Sequence, residues 1–288
     1  NKKWGGVVPS IAKRAHEEKI DLVIEECLCK LSKRQINLLV SKLDPVTKSG
    51  SQTSTYDANF LAACMIKYID YIAVTQGPGL AIALEVGIRK AKELALQYKK
   101  KLIAVNHLEG HIYSVFAQNR VGNPKKAIEF PYLAVIVSGG HTEIVLLKKH
   151  LQYEILGTTI DDAAGEALDK AAKMLGLGYP GGPVIERLAA EVKNIDTEHF
   201  PRPMLKDKIL DMSYSGLKTA FYYHLKKMAE MEKNKQLKTL ASSFQEAVFD
   251  VLIKKTQLAI SQNKVKHLVV GGGVIANQRL RRLFRDLA

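Results

Sequence analysis

The sequence has only three cysteines, Cys27, Cys29 and Cys64, and one tryptophan. So few thiols, odd in number, exclude a disulfide-stapled scaffold and suit a reducing compartment. Cys27 and Cys29 stand two apart, so neither a C-x-x-C redox motif nor a zinc ribbon is present. Long apolar runs are missing too. The best, Tyr132 to Val137, has the length of a buried strand and falls far short of the roughly 20 residues that span a bilayer. Acidic residues are scarce: 29 Asp+Glu face 43 Lys+Arg, for a net charge of +14. What remains is ordinary for a globular chain, with 47% hydrophobic and 25% charged residues. That balance excludes a disordered or collagen-like chain.

At roughly 150 residues per domain, 288 residues suggest two domains. No signal or transit signature opens the chain. It starts at Asn1 and ends at Leu287-Ala288, inside what reads as a basic helix. The expectation is a piece of a longer protein, cytoplasmic, with a mitochondrial or plastid address left open. The positive charge suits RNA, DNA or phosphorylated metabolites. A lysine-rich genome would produce it equally well, and the basic residues gather in no single arm.

Helical spacing of Ile11, Ala15, Ile20, Val23, Ile24, Leu28 and Leu31 predicts a helix over Ser10 to Leu43. Asp44 to Tyr56 is polar and aperiodic, a surface loop, with a second helix over Asp57 to Ile66. Tyr68 to Thr75 reads as a strand, Gly77-Pro78-Gly79 as a turn, and a helix follows to about Tyr98. Leu102 to Val105 is a strand and His107 to Gln118 a helix. The turn-rich Val121 to Phe130 places a domain boundary there, dividing the chain into 1–130 and 131–288. Tyr132 to Val137 and Thr142 to Leu147 form a hairpin, with Tyr153 to Leu156 as a third strand. Helices are expected over Asp161 to Leu175, Val184 to Val192, Lys218 to Met231 and Thr239 to Gln262. A strand over His267 to Val270 and a helix from Asn277 close the chain. Strands alternating with helices make an α/β protein, and three strands followed by helices resemble a ribonuclease-H-like unit.

Four motifs carry chemistry. His107 and His111, at i and i+4, share one face of a helix and reach a common metal ion. The acid of this motif, Glu109, is not where a metalloprotease H-E-x-x-H needs it. The alternative for the pair is one capping and one packed histidine. Ser138-Gly139-Gly140-His141 closes the hairpin with a glycine pair that permits positive φ and close approach of a phosphate; taken alone it reads equally as an ordinary glycine turn. Gly271-Gly272-Gly273 precedes a helix start, where Asn277 either meets a nucleotide or caps the helix. Asp161 and Asp162 suit a helix N-terminus. Asp169 lies further in, either a ligand contact or a charge paired with Lys173. Tyr179-Pro180-Gly181-Gly182-Pro183 is a rigid turn able to lie against a ligand.

In this order, with Gly5-Gly6-Val7-Val8-Pro9, Phe200-Pro201-Arg202-Pro203 and Ser213-Tyr214-Ser215-Gly216-Leu217-Lys218-Thr219, these motifs resemble the TsaD family. Its members are the tRNA N6-adenosine threonylcarbamoyltransferases, once called O-sialoglycoprotein endopeptidases. The Pro-Arg-Pro-Met and Ser-Gly-Leu-Lys-Thr versions resemble bacterial or organellar members. The resemblance implies an actin-like (ASKHA) two-lobed fold of duplicated ribonuclease-H-like units, with the active site in the cleft between lobes. It implies transfer of the threonylcarbamoyl group from threonylcarbamoyl-AMP to N6 of the adenosine beside the tRNA anticodon, releasing AMP. It implies His107 and His111 as ligands of one divalent ion, Fe(II) or else Zn(II). Ile136, Val137, Ser138, Gly139, Gly140, Asp169, Gly182 and Asn277 would contact the adenylate. The implied partners are tRNA, a TsaB-like paralogue and a TsaE-like ATPase, with no membrane.

Two family segments have no counterpart here, an N-terminal Gly-x-Glu-Thr-Ser-Cys-like strand and a C-terminal Thr-Asp-Asn-Gly-like segment that supplies the third metal ligand. The sequence assigns no general base. Two other readings compete: a non-catalytic scaffold paralogue, against which the intact histidine pair argues, and a metalloprotease, which lacks a placed Glu.

Overall fold

The computed structural model describes residues 5–29, 66, 69–119, 121–122 and 128–288. The loop expected over 44–56, most of the helix over 57–66, residues 30–43 of the first expected helix, and Cys64 lie outside the described residues. The chain packs as two compact units, one spanning Val7–His107 and the other containing Leu108–Ala288.

In the first unit, α1 (Pro9–Cys29) packs against α2 (Ala81–Gln97). Strands β1 (Tyr71–Gly77) and β2 (Lys101–Asn106) pair in parallel, Tyr71 opposite Lys101 and Thr75 opposite Val105. Helix α2 is the crossover that a parallel pair requires. β2 runs directly into α3 (His107–Tyr113). The helix expected to continue to Gln118 tightens into a 3-10 turn over Ser114–Phe116, where the Ser114 hydroxyl donates to the His111 carbonyl at 2.7 Å.

The second unit is built on a four-stranded sheet in the order β5–β4–β3–β6. Its strands are β3 (Tyr132–Val137), β4 (Thr142–Lys149), β5 (Gln152–Thr158) and β6 (Leu268–Gly271). β3 and β4 form the expected hairpin, and β6 joins β3 in parallel with Ile136 opposite Gly271. Every residue of β3 is buried, which explains its unbroken apolar run. Leu133, Val135 and Val137 pack under helices, while Tyr132, Ala134 and Ile136 pack with Ile112 of α3. That contact draws α3 into this unit.

Helices α4 (Ala164–Met174), α5 (Gly182–Glu191), α6 (Ser215–Lys227) and the 34-residue α7 (Glu230–Asn263) follow. After β6 come a 3-10 turn, Gly273–Ala276, and α8 (Gln278–Leu287). Phe244 of α7 is fully buried and meets the Phe221 ring of α6 at 4.8 Å between centroids.

α4 begins three residues later than the sequence suggests. Of the aspartates ahead of it, Asp161 serves another element and Asp162 ties this helix to α6. Asp161 accepts from the backbone N–H groups of Tyr214 and Ser215 at 2.8 and 3.2 Å, and from the Ser213 and Ser215 hydroxyls. It therefore holds the first turn of α6. Asp162 takes Lys170 and Lys218 on its two oxygens, at 2.6 and 2.7 Å. Burial raises both carboxyls, but these donors outweigh it and leave both below the usual aspartate value.

Candidate active site

A cavity of about 250 Å³ opens where the Ser138–His141 loop, α4, α5 and the Gly273–Ala276 turn meet. Four of the residues expected to touch an adenylate, Gly139, Asp169, Gly182 and Asn277, line it together. Ser138 and Gly140 stand in the same loop but not on the wall. Ile136 and Val137, at 1% and 0% exposure, lie in the core as the strand that carries the loop.

The loop is tied by its own serine. Ser138 Oγ accepts from the His141 N–H at 2.9 Å and from the Gly140 N–H at 3.3 Å. Neither Gly139 nor Gly140 takes the positive φ expected of them. Their value is space: a Cβ on either would meet nothing within 4 Å, so a ligand can come down onto the backbone. Gly165 is a glycine for the opposite reason. Its Cβ would lie 2.6 Å from the Ser138 carbonyl oxygen, so only glycine lets α4 press against the loop. Gly272 adopts φ 99°, and its Cβ would lie 2.3 Å from the Val137 carbonyl oxygen.

Asp169 does not pair with Lys173. Its Oδ1 accepts from the N–H groups of Gly181 and Gly182, at 2.7 and 3.2 Å. It thus caps α5 from a neighbouring helix and fixes the Tyr179–Pro183 turn, whose Pro180, Gly182 and Pro183 form one wall. Glu186, one turn along α5, was not singled out by the sequence. It lines the same wall and accepts from the Gln278 N–H at 2.7 Å, the start of α8. Its position one turn past Gly182 was the available signal. Asn277 does cap α8: its Oδ1 accepts from the Leu280 N–H at 3.0 Å. It also lines the cavity, so the two sequence readings of Asn277 are compatible.

His107 and His111 both fall in α3, one turn apart, His107 exposed and His111 half-buried. Glu109 between them accepts from the Tyr153 hydroxyl at 3.0 Å. A Cβ on Gly271 would lie 3.0 Å from the His111 carbonyl oxygen, so glycine there lets β6 close on α3. Among the described residues no three His, Cys, Asp or Glu side chains are grouped to hold a metal. His107 and His111 thus offer two imidazoles from one helical turn. Such a pair fits a borderline divalent ion such as Fe(II) or Zn(II) and leaves its other positions for groups outside the pair.

Residues 58–288 match the model of the family described as TsaD, tRNA N6-adenosine threonylcarbamoyltransferase. The chain belongs to the TsaD family. A Trichlorobacter lovleyi member named tRNA N6-adenosine threonylcarbamoyltransferase is 43% identical over 99% of the chain and 72% of its own length. Similar proteins of that name come from Listeria innocua, 43% identical over 100% of the chain and 72% of the relative, and Geotalea uraniireducens, 43% over 99% and 72%. TsaD membership carries with it the actin-like α/β fold, an acyl-transferring enzyme class in tRNA modification, and a general dependence on a metal. The mixed α/β architecture described above agrees with that fold. Among the described residues no helix is long and apolar enough to cross a membrane.

Proposed function

We propose that this protein transfers a threonylcarbamoyl group from threonylcarbamoyl-AMP to N6 of the adenosine beside a tRNA anticodon. The observation that carries this reading is the cavity that gathers Gly139, Asp169, Gly182 and Asn277. Its chemistry sorts the parts of an adenylate. Two carboxylates, Asp169 and Glu186, line one side, where hydroxyl donors such as those of ribose are favoured and a phosphate is repelled. In the loop at 138–141 the N–H groups of Ser138, Gly140 and His141 are bonded within the loop, which leaves the Gly139 N–H, beside the open space over the two glycines, as the donor for the phosphate. Leu168, Val274 and the prolines supply apolar surface for a base.

In the reaction, N6 attacks the threonylcarbamoyl carbonyl carbon, the carbon–oxygen bond to the phosphate breaks, and AMP leaves as the N6 proton is lost. An aromatic amine is a weak nucleophile, so positioning and charge stabilisation must supply most of the rate. His107 and His111 would hold the metal ion, which when bound polarises an oxygen or anchors a carboxylate of the donor. The residues themselves bind and orient: Asp169 holds the α5 turn, and Ser138 ties the loop.

The tRNA would meet the basic surface. Arg282 and Arg285 lie exposed on α8, whose cap Asn277 lines the cavity, and suit backbone phosphates. Lobes divided near residue 130, a TsaB-like paralogue, a TsaE-like ATPase and a cytoplasmic setting complete the proposal. The scaffold alternative is not favoured, since relatives named as transferases match the whole chain and the histidine pair is intact.

The test supplies the protein with Fe(II), the two partners, threonylcarbamoyl-AMP and unmodified tRNA, and looks for the modified nucleoside by mass spectrometry. The expected result is modified adenosine and stoichiometric AMP, lost in His107→Ala. Absence of product, where a Listeria relative is active in the same mixture, would overturn the assignment.

A further inference from the structure

The cavity has a support that no part of the reading above uses. Behind Asn277 runs a chain of three side-chain amides. The Leu280 N–H donates to Asn277 Oδ1 at 3.0 Å. Asn277 Nδ2 donates to Gln245 Oε1 at 2.9 Å. Gln245 Nε2 donates to Asn194 Oδ1 at 3.0 Å. Gln245 is fully buried in α7 and Asn277 is 6% exposed. Asn194 sits just past the end of α5 with φ 56°, its N–H donating to the Ala189 carbonyl at 2.8 Å.

The chain has a fixed direction. A backbone N–H can only donate, so Leu280 compels Asn277 to present its oxygen to α8. Its nitrogen then faces Gln245, whose oxygen must receive it and whose nitrogen must pass on to Asn194. An amide nitrogen carries two hydrogens. With one committed to Gln245, Asn277 keeps a second N–H as the donor it can offer a ligand. The Leu280 N–H excludes the flipped amide, which would offer an oxygen instead, and Gln245 holds the amide so oriented in its place. The same chain joins the far end of α5 to the start of α8. Glu186, accepting from Gln278 N–H, already joins those two helices at the cavity. The two walls are thus clamped at two points.

We propose that Gln245 is a positioning residue for adenylate binding: through Asn277 it sets the donor face of the cavity wall and holds α5 and α8 at their spacing. The inference rests on the adenylate reading and deepens it. It calls for Gln245 to affect recognition of the ligand and not the bond-making step, because it touches neither ligand nor metal ligands.

The test measures AMP binding by calorimetry, and kcat and KM with threonylcarbamoyl-AMP, in the full chain and its variants. Gln245→Leu fills similar space but neither accepts nor donates. About tenfold weaker AMP binding and a matching rise in KM are expected, with kcat within about twofold. Gln245→Glu separates positioning from simple filling of space. A neutral carboxyl reproduces the relay, its C=O accepting from Asn277 and its O–H donating to Asn194; an ionised one has no donor. AMP affinity of this variant, taken as a ratio to the parent at the same pH so that the ionisation of AMP itself cancels, should be near one at low pH and fall as the carboxyl ionises. Gln245→Leu that is folded and binds AMP within twofold of the parent overturns the proposal. If that variant does not fold, a Gln245→Glu affinity that tracks the parent at every pH overturns it. A parent that binds no AMP overturns the adenylate reading first and this inference with it.

Discussion

The two sheets make opposite use of strand-forming sequence. β3, at the heart of the four-stranded sheet, is buried along its whole length, helices covering one face and α3 the other. β1 and β2 are described as a pair only, and most of β2 is exposed, with Leu102 at 40% and Ile103 at 43%. Both stretches are rich in Val, Ile, Leu and Ala, so composition does not separate them. Among the described residues, what separates them is the number of layers packed on each sheet. A strand with cover on both sides can carry a loop whose position is set to within a hydrogen bond, as Val137 carries Ser138. The lesson for the site is that the cavity is anchored on the sheet covered on both faces.

That contrast can be broken at four places, in decreasing order of effect. Phe244→Ala removes a ring from the fully buried helical layer over β3 and should destabilise the second unit by about 3–5 kcal/mol. Urea unfolding followed by circular dichroism would measure it, and a loss below about 1 kcal/mol would mean that this layer is loosely packed. Gly165→Ala places a methyl where the Ser138 carbonyl stands. It should cost about 1–3 kcal/mol by overpacking and weaken AMP binding, because the loop must move away from α4. Unchanged AMP affinity in calorimetry would show that the loop does not shape the cavity.

Acid provides the third. The folded pKa values of Asp161 and Asp162 are lowered, so the stability they contribute is full above the unfolded aspartate value of about 4. It is lost as pH falls through the lower folded values. Hydrogen exchange should therefore show the first turn of α6 opening before the β3–β4 hairpin as pH drops. Simultaneous opening would deny Asp161 its role as clasp. The smallest effect belongs to the exposed sheet. Ile103→Ala should change stability by about 0.5 kcal/mol or less. A loss of several kcal/mol in a thermal melt would reveal cover over that face from elsewhere.

Much of this was legible in the residues. The β3 run, the hairpin loop, the glycine turn after β6 and the i, i+4 histidines each stand where their patterns put them, because those patterns are local. Other features were not. Asp169 looks like a helix-surface charge with a lysine one turn on, yet it serves the N–H groups of Gly181 and Gly182, which the fold brings up from another segment. Asp161 lies 53 residues before Tyr214, whose N–H it accepts, a partnership no spacing rule contains. Glu186 and Gln245 carry no motif at all; their significance comes from packing against α8.

The sequence by itself determined the family, the order of strands and helices, and the two imidazoles on one turn, since these depend on neighbours along the chain. Tertiary structure alone decided which glycines leave room for a ligand and which leave room for protein. Gly139 and Gly165 are the same residue type, but one faces open space and the other faces the Ser138 carbonyl. It also decided which way the Asn277 amide points. A side-chain amide is chemically two-sided; the fixed N–H of Leu280 chooses between its sides, and the buried Gln245 takes up the other end.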